Sequence, residues 1–188
     1  MSGDYRIFVG AFPTGDLAER IQALRERLDP VTARITPPHV TLAGTYWRHG
    51  PATLENEAGT MARLPDAAAK VAPFELDLGG IASFLPRTRV VYLAVGVTPG
   101  LLAARQAMLG VLGGDKHREF HPHLTLAMRL DERRTAQALD ELRQTTWHTG
   151  RWRAAIDHLW LMQRGPADTA WRFIQRIDLR GESRKEPL

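Results

Sequence analysis

A six-residue segment occurs twice in this chain and constrains its fold more than any other feature. The two copies are Pro-His-Val-Thr-Leu-Ala at 38–43 and Pro-His-Leu-Thr-Leu-Ala at 122–127, identical at five of six positions. Each copy has the composition of a short strand that is entered through a proline. Two such strands in a chain of 188 residues indicate two related halves that face one another.

The alternation of side chains along a strand assigns a role to each position of the repeat. His39 and Thr41 share one face of the first strand, as His123 and Thr125 do in the second. The aliphatic residues between them point to the other face, toward a core. Because core packing does not require His and Thr at the alternate positions, the pair of motifs favours a functional role. Two imidazoles and two hydroxyls across a cleft supply a general acid, a general base and two anion-contacting groups.

These paired His-x-Thr motifs resemble those of the 2H phosphoesterase superfamily, and in particular its bacterial RNA 2',3'-cyclic phosphodiesterases, also called 2'-5' RNA ligases. The resemblance extends over 5–179 and includes Phe-His-Pro-His at 120–123 and a mid-chain Phe84 followed by Arg87 and Arg89. It implies an α+β fold with two pseudo-symmetric lobes of mainly antiparallel sheet and outer helices around a central cleft. We expect residues 1–180 to form this single bilobal domain.

Periodicity and turn residues supply further expectations for the secondary structure. A strand at 5–12 precedes a helix whose polar side, including Arg25, is expected to face solvent. Residues 31–35 are predicted to form a short strand, and Pro65 is expected to interrupt a helix over 50–70. Gly79-Gly80 is predicted to be a turn or bulge, followed by a loop at 81–89. The polar residues 181–188 are expected to form a flexible C-terminal tail.

Composition limits the classes of function. The absence of cysteine excludes thiolate chemistry and zinc sites built on cysteine, and the formal charge of +4 suits an anionic substrate. No apolar run is long enough for a membrane span or a signal peptide. We therefore expect a cytoplasmic protein with no membrane partner. We also expect a monomer with no cofactor and no metal, and the resemblance implies that it acts on RNA ends or cyclic nucleotides. A basic pI by itself is weak evidence for nucleic acid, because arginine outnumbers lysine 22 to 3 and a GC-rich genome would also produce this bias.

Other candidate sites are weaker. His121 and His123 have a spacing that two metal ligands could use, but the first motif has no counterpart to His121. None of the serines lies in a nucleophile-elbow sequence. Arg129 stands six residues after His123, whereas the resembling family often has an arginine five residues after that histidine, where Met128 stands here. Since a shift of one residue reverses the strand face, contact between Arg129 and a phosphate depends on a bulge or on the end of the strand.

The resemblance implies metal-independent opening of 2',3'-cyclic phosphate ends to 2'-phosphomonoesters, with possible reverse 2'-5' ligation. It implies His39 as the acid and His123 as the base, with Thr41 and Thr125 binding the non-bridging oxygens; the residues themselves leave the acid and base roles open. Substrate contacts are expected from Phe84, Arg87, Arg89, Tyr46 and Arg129. For Phe84 and Tyr46, packing against the protein is an equal alternative.

Two other functions are compatible with the same residues. One is a phosphodiesterase for linear 2'-5' linkages or for another small cyclic phosphate. The other is a protein that binds RNA ends in the cleft without turnover. Substrate panels separate the first from the main hypothesis, and binding that survives loss of both histidines without any turnover would favour the second.

Overall fold

The computed structural model describes residues 4–49, 54–113 and 119–181, without the side chains of residues 4, 45–49 and 54–58. The strands of these residues are β1 (Asp4–Ala11), β2 (Val40–His49), β3 (Phe74–Ser83), β4 (Val91–Val95), β5 (His123–Ala127), β6 (Trp152–Ile156), β7 (His158–Arg164) and β8 (Arg172–Asp178). The helices are α1 (Gly15–Leu28), α2 (Pro30–Ile35), α3 (Leu54–Ala69), α4 (Pro99–Leu112), α5 (Glu132–Arg143) and α6 (Thr146–Thr149). The strands form one curled antiparallel sheet in the order β6-β3-β4-β5-β2-β1-β7-β8.

The two motif strands are neighbours in the middle of the sheet. β2 and β5 are antiparallel and pair at Val40 and Leu124, which occupy equivalent positions of the two repeats. Three further strands lie on each side of this pair, so the sheet order is symmetric about it. The α+β class predicted from the sequence is confirmed. That residues 1–180 act as a single domain stays a prediction, and the predicted tail lies outside the described residues except for Gly181.

Apolar residues of the strands and helices meet on one face of the sheet and form one large core cluster. The aliphatic positions of both repeats belong to this cluster and are fully buried: Val40, Leu42, Leu124 and Leu126. Helices α1 and α4 contribute to the same core through Ile21, Leu24, Leu101 and Met108. The alternation of a strand therefore leaves the histidines and threonines of the repeats on the opposite face.

The segment at 31–35, predicted as a strand, is helix α2. Asp29 caps this helix, since its Oδ1 accepts a hydrogen bond of 3.0 Å from the N–H of Thr32. Pro30 occupies the first turn, where its missing N–H costs nothing. The cap and the proline together outweigh the strand preference of the β-branched residues that follow, so the strand prediction is wrong.

Two other expectations are corrected and one is confirmed. Helix α3 continues through Pro65 instead of ending there, because the buried Leu64 and Ala68 anchor its last turns in the core. That packing offsets a cost of about 3 kcal/mol for a proline inside a helix. Strand β3 extends to Ser83, so the following loop begins later than predicted. Gly80 has a φ of +85° where the pairing register with β4 shifts, which confirms the bulge.

Within the described residues, no helix is long and apolar enough to cross a membrane.

Candidate active site

The pairing of β2 with β5 sets the geometry of the four motif side chains. Val40 lies opposite Leu124 in an antiparallel register. For the residues next to Val40 and Leu124, this register places His39 opposite Thr125 and Thr41 opposite His123. Residues directly opposite in an antiparallel pair have Cβ atoms about 4.5–5.5 Å apart. The structure therefore brings together the four residues predicted as catalytic, with each imidazole beside the hydroxyl of the other motif.

Both histidines make the same hydrogen bond through Nδ1. His39 Nδ1 lies 2.9 Å from the carbonyl oxygen of Pro37, and His123 Nδ1 lies 2.8 Å from that of His121. A carbonyl oxygen only accepts, so Nδ1 carries the proton in both rings. Each histidine follows a proline, which restricts the backbone of the residue that supplies the carbonyl. Proton exchange with a substrate consequently falls to Nε2 in both cases.

His39 packs against two phenylalanine rings of the N-terminal segment. Its ring centroid is 4.8 Å from that of Phe8 and 5.3 Å from that of Phe12, both in stacked orientations. Burial lowers the pKa of His39 to about 4, although part of the ring reaches solvent. The hydrogen bond to the Pro37 carbonyl raises this pKa, while the positive charges of Arg25 and His123 lower it further. His39 is therefore neutral at pH 7 in the unliganded protein.

His123 has a different aromatic environment on the other side of the motif pair. The ring of Phe84 stands perpendicular to it at 4.9 Å, and the ring of Tyr92 lies at 5.3 Å. Tyr92 Oη and His121 Nε2 are hydrogen-bonded at 2.9 Å, which holds the segment before the motif to β4. The two histidines thus have equivalent backbone contacts but unlike ring neighbours.

Arg25 of α1 connects the two motifs from the core side. Its side chain is only 1% exposed, which contradicts the predicted solvent-facing position. The guanidinium donates to the carbonyls of Thr125, at 3.1 Å from Nε, and of Thr36, at 2.7 Å from Nη1. Further bonds go to the Thr32 carbonyl and to Gln22 Oε1. One side chain therefore binds the second motif strand and the segment that leads into the first motif.

Asp29, between α1 and α2, binds the backbone at the end of the second motif strand. Its carboxylate is 2% exposed, and Oδ2 accepts from the backbone N–H groups of Met128 at 2.9 Å and Arg129 at 2.8 Å. Oδ2 also accepts from the hydroxyl of Thr32 at 2.6 Å. Burial acts to raise the pKa of Asp29, but the hydrogen bonds from Thr32, Met128 and Arg129 outweigh it and lower the pKa. The carboxylate is therefore charged at neutral pH and holds β5 at its end.

Arg105 of α4 makes the corresponding contact to the first motif strand. Its Nη1 donates to the carbonyl of Leu42 at 2.5 Å, and its guanidinium lies 4.1 Å from the ring centroid of Phe120. Helix α1 thus binds β5 through Arg25, and helix α4 binds β2 through Arg105. The approximate symmetry of the sheet extends to the arginines that hold its central strands.

The predicted substrate contacts are less closely grouped. Phe84 is half-buried against His123, whereas Arg87 and Arg89 are exposed in the loop that follows it. The side chain of Tyr46 lies outside the described residues. Arg129 lies beyond the last residue of β5, where the alternation of the strand no longer decides its direction. It lines a groove together with Arg34 of α2 and Arg164 of β7.

His121 does not belong to a metal-binding cluster in the part of the chain that the structure describes. Its ring centroid is 6.5 Å from that of His123, and its Nε2 is engaged with Tyr92. No group of three His, Cys, Asp or Glu side chains that could hold a metal ion occurs among the described residues.

Sequence reasoning missed Phe8, Phe12, Arg25 and Asp29 as parts of the site. A signal for Arg25 was present, because it stands four residues after Ile21 and three before Leu28 on the apolar stripe of α1. The Asp-Pro sequence at 29–30 is also a signal for the start of α2, with Asp29 as its cap and Pro30 in its first turn. No local pattern relates Phe8 or Phe12 to His39, because their contact depends on the pairing of β1 with β2.

A curled antiparallel sheet with helices on one face is the fold of the 2H phosphoesterases. E. coli LigT in its apo form shares it with a TM-score of 0.66 at 22% identity, over 95% of this chain and 99% of that chain. TT0787 of Thermus thermophilus has a TM-score of 0.64 at 17% identity, over 95% and 100% of the two chains. At these identities, the likeness shows the fold alone.

Sequence comparison shows the family. A family model described as the 2'-5' RNA ligase superfamily matches residues 13–178. A protein of Bacillus cytotoxicus named "Putative phosphoesterase" is 33% identical over 138 residues, which are 73% of this chain and 77% of that protein. A protein of Bacillus cereus strain B4264 with the same description is 31% identical over the same shares of the two chains. The chain belongs to the 2'-5' RNA ligase superfamily, and its membership supports a phosphoesterase.

The contacts of Arg25 generate the first prediction. Replacing Arg25 with Met should lower the free energy of unfolding by about 3 kcal/mol or more, because several buried carbonyls lose their donor. Urea unfolding followed by circular dichroism measures this loss. Arg27→Met on the exposed side of α1 is the matched control and should change stability by less than about 0.5 kcal/mol. Equal stability of the two variants would contradict the role assigned to Arg25.

The environment of His39 generates the second prediction. In an NMR titration of the unliganded protein, the His39 ring should change charge near pH 4, well below the usual value of about 6.5. The unfolded chain takes up this proton first as the pH falls, so His39 should remove stability between about pH 6.5 and pH 4, by at most about 3 kcal/mol. His39→Asn should lack this component of the pH dependence. A His39 midpoint at or above 6.5 would contradict the prediction.

Proposed function

We propose that this protein hydrolyses 2',3'-cyclic phosphate ends of RNA or nucleotides to 2'-phosphomonoesters without a metal ion. The observation that carries the proposal is the matched pair of histidines. Each keeps its proton on Nδ1 through a backbone carbonyl and stands beside the threonine of the other motif. Such a pair supplies an acid and a base on either side of one phosphorus atom.

The proposed reaction is an in-line displacement at the cyclic phosphate. One neutral histidine accepts a proton at Nε2 from a water molecule as the water oxygen bonds to phosphorus. The bond from phosphorus to the ribose O3' breaks, and the other histidine, protonated, donates its Nε2 proton to that oxygen. The 2'-phosphomonoester remains. Negative charge grows on the non-bridging oxygens, and the hydroxyls of Thr41 and Thr125 donate hydrogen bonds to them.

The acid and base roles follow from the family resemblance, which makes His39 the acid and His123 the base. His39 is neutral in the unliganded protein, because burial holds its pKa near 4. An anion bound beside the ring favours the protonated form, and a cyclic phosphate brings one negative charge to this place. Substrate binding therefore raises the pKa of His39 and favours the protonated ring, which can then act as the acid.

The remaining predicted residues are proposed to bind the nucleotide. Phe84 offers a half-buried aromatic ring beside His123, on which a base can stack. Arg87 and Arg89 follow it on an exposed loop and can reach phosphates, and Arg129 and Tyr46 are proposed to complete the contacts. E. coli LigT, which shares the fold, has been crystallised with phosphate and with 3'-AMP. Those ligands agree with a nucleotide phosphate as the substrate group.

The same groups can also join two RNA ends, by the same breakage of the bond from phosphorus to O3'. A 5'-hydroxyl in place of water attacks the cyclic phosphate, and the product is a 2'-5' linkage. Water is far more concentrated than RNA ends, so hydrolysis should dominate.

The third prediction tests the proposed activity. Incubation with 2',3'-cyclic nucleotides in excess EDTA should produce nucleoside 2'-phosphates, identified by chromatography against the 3' isomers. His39→Ala and His123→Ala should each reduce the rate by at least about 10²-fold, the usual contribution of an acid or a base. His158→Ala, on the β7 strand and outside the motifs, is the control and should keep full activity.

Three outcomes would contradict the proposal. Loss of activity in EDTA with rescue by a divalent ion would indicate a metal mechanism. Turnover of only linear 2'-5' linkages would identify a different substrate. Full activity of either motif histidine variant would refute the two-histidine mechanism.

The fourth prediction concerns Phe84. If its ring stacks on a base, Phe84→Ala should raise KM by about tenfold or more, since stacking contributes about 1–3 kcal/mol per base. The melting temperature should then fall only modestly, because the side chain is half-buried. A stability loss of about 3–5 kcal/mol with unchanged KM would show that Phe84 only packs against the protein.

A further inference from the structure

Four arginines from four different elements converge beside the His39 side of the motif pair. Arg6 lies on β1, Arg34 on α2, Arg129 after β5 and Arg164 on β7. Three of them, Arg34, Arg129 and Arg164, line a groove of about 510 Å³ together with Val31, Ile35, Thr169 and Ala170. This groove is separate from the exposed arginines of the Phe84 loop.

The arrangement of these arginines concentrates positive charge. Arg6 and Arg164 are direct cross-strand neighbours in the β1–β7 pair, and like charges in that position destabilise a sheet. Burial lowers the pKa of Arg6, and the charges of Arg164 and Arg129 lower it further. A bound phosphate would relieve this repulsion.

The carboxylates nearest to the groove are engaged in structural contacts. Asp29 binds the backbone N–H groups of Met128 and Arg129. Asp168 Oδ2 accepts from the N–H of Gly165 at 2.6 Å and lies 3.9 Å from Arg172. Arg34 and Arg164 use Nε to bind backbone carbonyls, of Pro30 and Asp168 respectively. Their Nη groups are the donors that the geometry offers to an anion.

A second hollow adjoins the groove beside the segment that leads into the first motif. It has a volume of about 390 Å³, shares Arg34, Ile35 and Ala170 with the groove, and is also lined by Pro37, Pro38, Trp171 and Phe173. The ring of Trp171 packs on Phe8 at 4.6 Å, and that of Phe173 lies 5.3 Å from Phe12. Both phenylalanines stack on His39. Phe173 is 46% exposed, so an aromatic surface is accessible between the arginines and the histidine.

We propose that the arginine groove and the adjoining aromatic hollow bind the RNA strand on the 5' side of the cyclic end. A 2',3'-cyclic phosphate closes the 3' end, so every further phosphate lies in the 5' direction. A basic groove beside an exposed aromatic ring is the combination that binds single-stranded nucleic acid. This inference rests on the proposed function, since it takes the motif histidines as the position of the cyclic end.

Binding without turnover tests the inference. The probe is a fluorescently labelled single-stranded oligoribonucleotide ending in a 3'-phosphate, titrated with the protein and followed by anisotropy. Arg34→Gln together with Arg164→Gln should weaken binding by about tenfold or more. The slope of the logarithm of the association constant against that of salt concentration should fall by about 0.7 for each phosphate that the variant no longer binds. Phe173→Leu should weaken binding while leaving the salt slope unchanged.

Controls separate the groove from general charge and from folding. Arg133→Gln together with Arg143→Gln on α5, which packs against the β3 and β4 side of the sheet, removes the same two positive charges and should leave binding unchanged. The melting temperature of each variant shows whether the protein stays folded. Competition with 3'-AMP measures the mononucleotide site, and the groove variants should weaken the oligonucleotide far more than 3'-AMP.

Several results would overturn the inference. One is oligonucleotide binding by the double groove variant as tight and as salt-dependent as that of the wild type. Another is equal weakening of 3'-AMP and the oligonucleotide. A third is loss of oligonucleotide binding only in the double variant Arg87→Gln and Arg89→Gln, which would place the strand on the Phe84 side. If the wild type hydrolyses cyclic mononucleotides while the groove variants bind normally, this inference alone fails. Groove-dependent binding without any turnover of cyclic phosphates would refute the proposed function instead.

Discussion

The candidate site depends on one buried guanidinium. Arg25 binds the Thr125 carbonyl and the Thr36 carbonyl, so the two motifs share a single rigid donor. Asp29, four residues later, holds the end of β5 through two backbone N–H groups. Burying either charge alone would be costly; here Asp29 lies near Arg25, and the hydrogen bonds of both side chains offset the desolvation. The result is a fixed spacing between two segments that are far apart in the chain.

The symmetry of the site is incomplete in a way that suits acid–base chemistry. Both histidines have the same tautomer and the same cross-strand neighbour type, which the repeat and the β2–β5 register produce together. Their ring environments differ, because His39 stacks on Phe8 and Phe12, whereas Phe84 stands perpendicular to His123 and Tyr92 lies tilted beside it. Two histidines with identical surroundings would compete for one proton. Unequal surroundings remove this equivalence, and burial lowers the pKa of His39.

Positive charge is concentrated on the His39 side of the proposed cleft. The arginines that line the groove come from β7, from α2 and from the segment after β5, and Arg6 of β1 pairs with one of them across the sheet. The aromatic residues between this groove and His39 come from β1, β8 and the segment before β8. A strand bound along this path would lie on the His39 side of the sheet. The Phe84 side of the motif pair would then bind the terminal base or, in 2'-5' ligation, the second RNA end.

Much of this protein was determined by its sequence alone. The repeated hexapeptide carries the strand alternation, the buried aliphatic positions and the four candidate catalytic residues, because each of these depends on neighbours within a few positions. The sequence did not show that residues 31–35 are helical, since the cap by Asp29 competes with β-branched residues whose preference points the other way. Only the tertiary structure decided that Arg25 is buried, that burial depresses the pKa of His39, and that arginines from three distant segments line one groove. These features depend on which strands and helices become neighbours, and that is set by the packing of the whole chain.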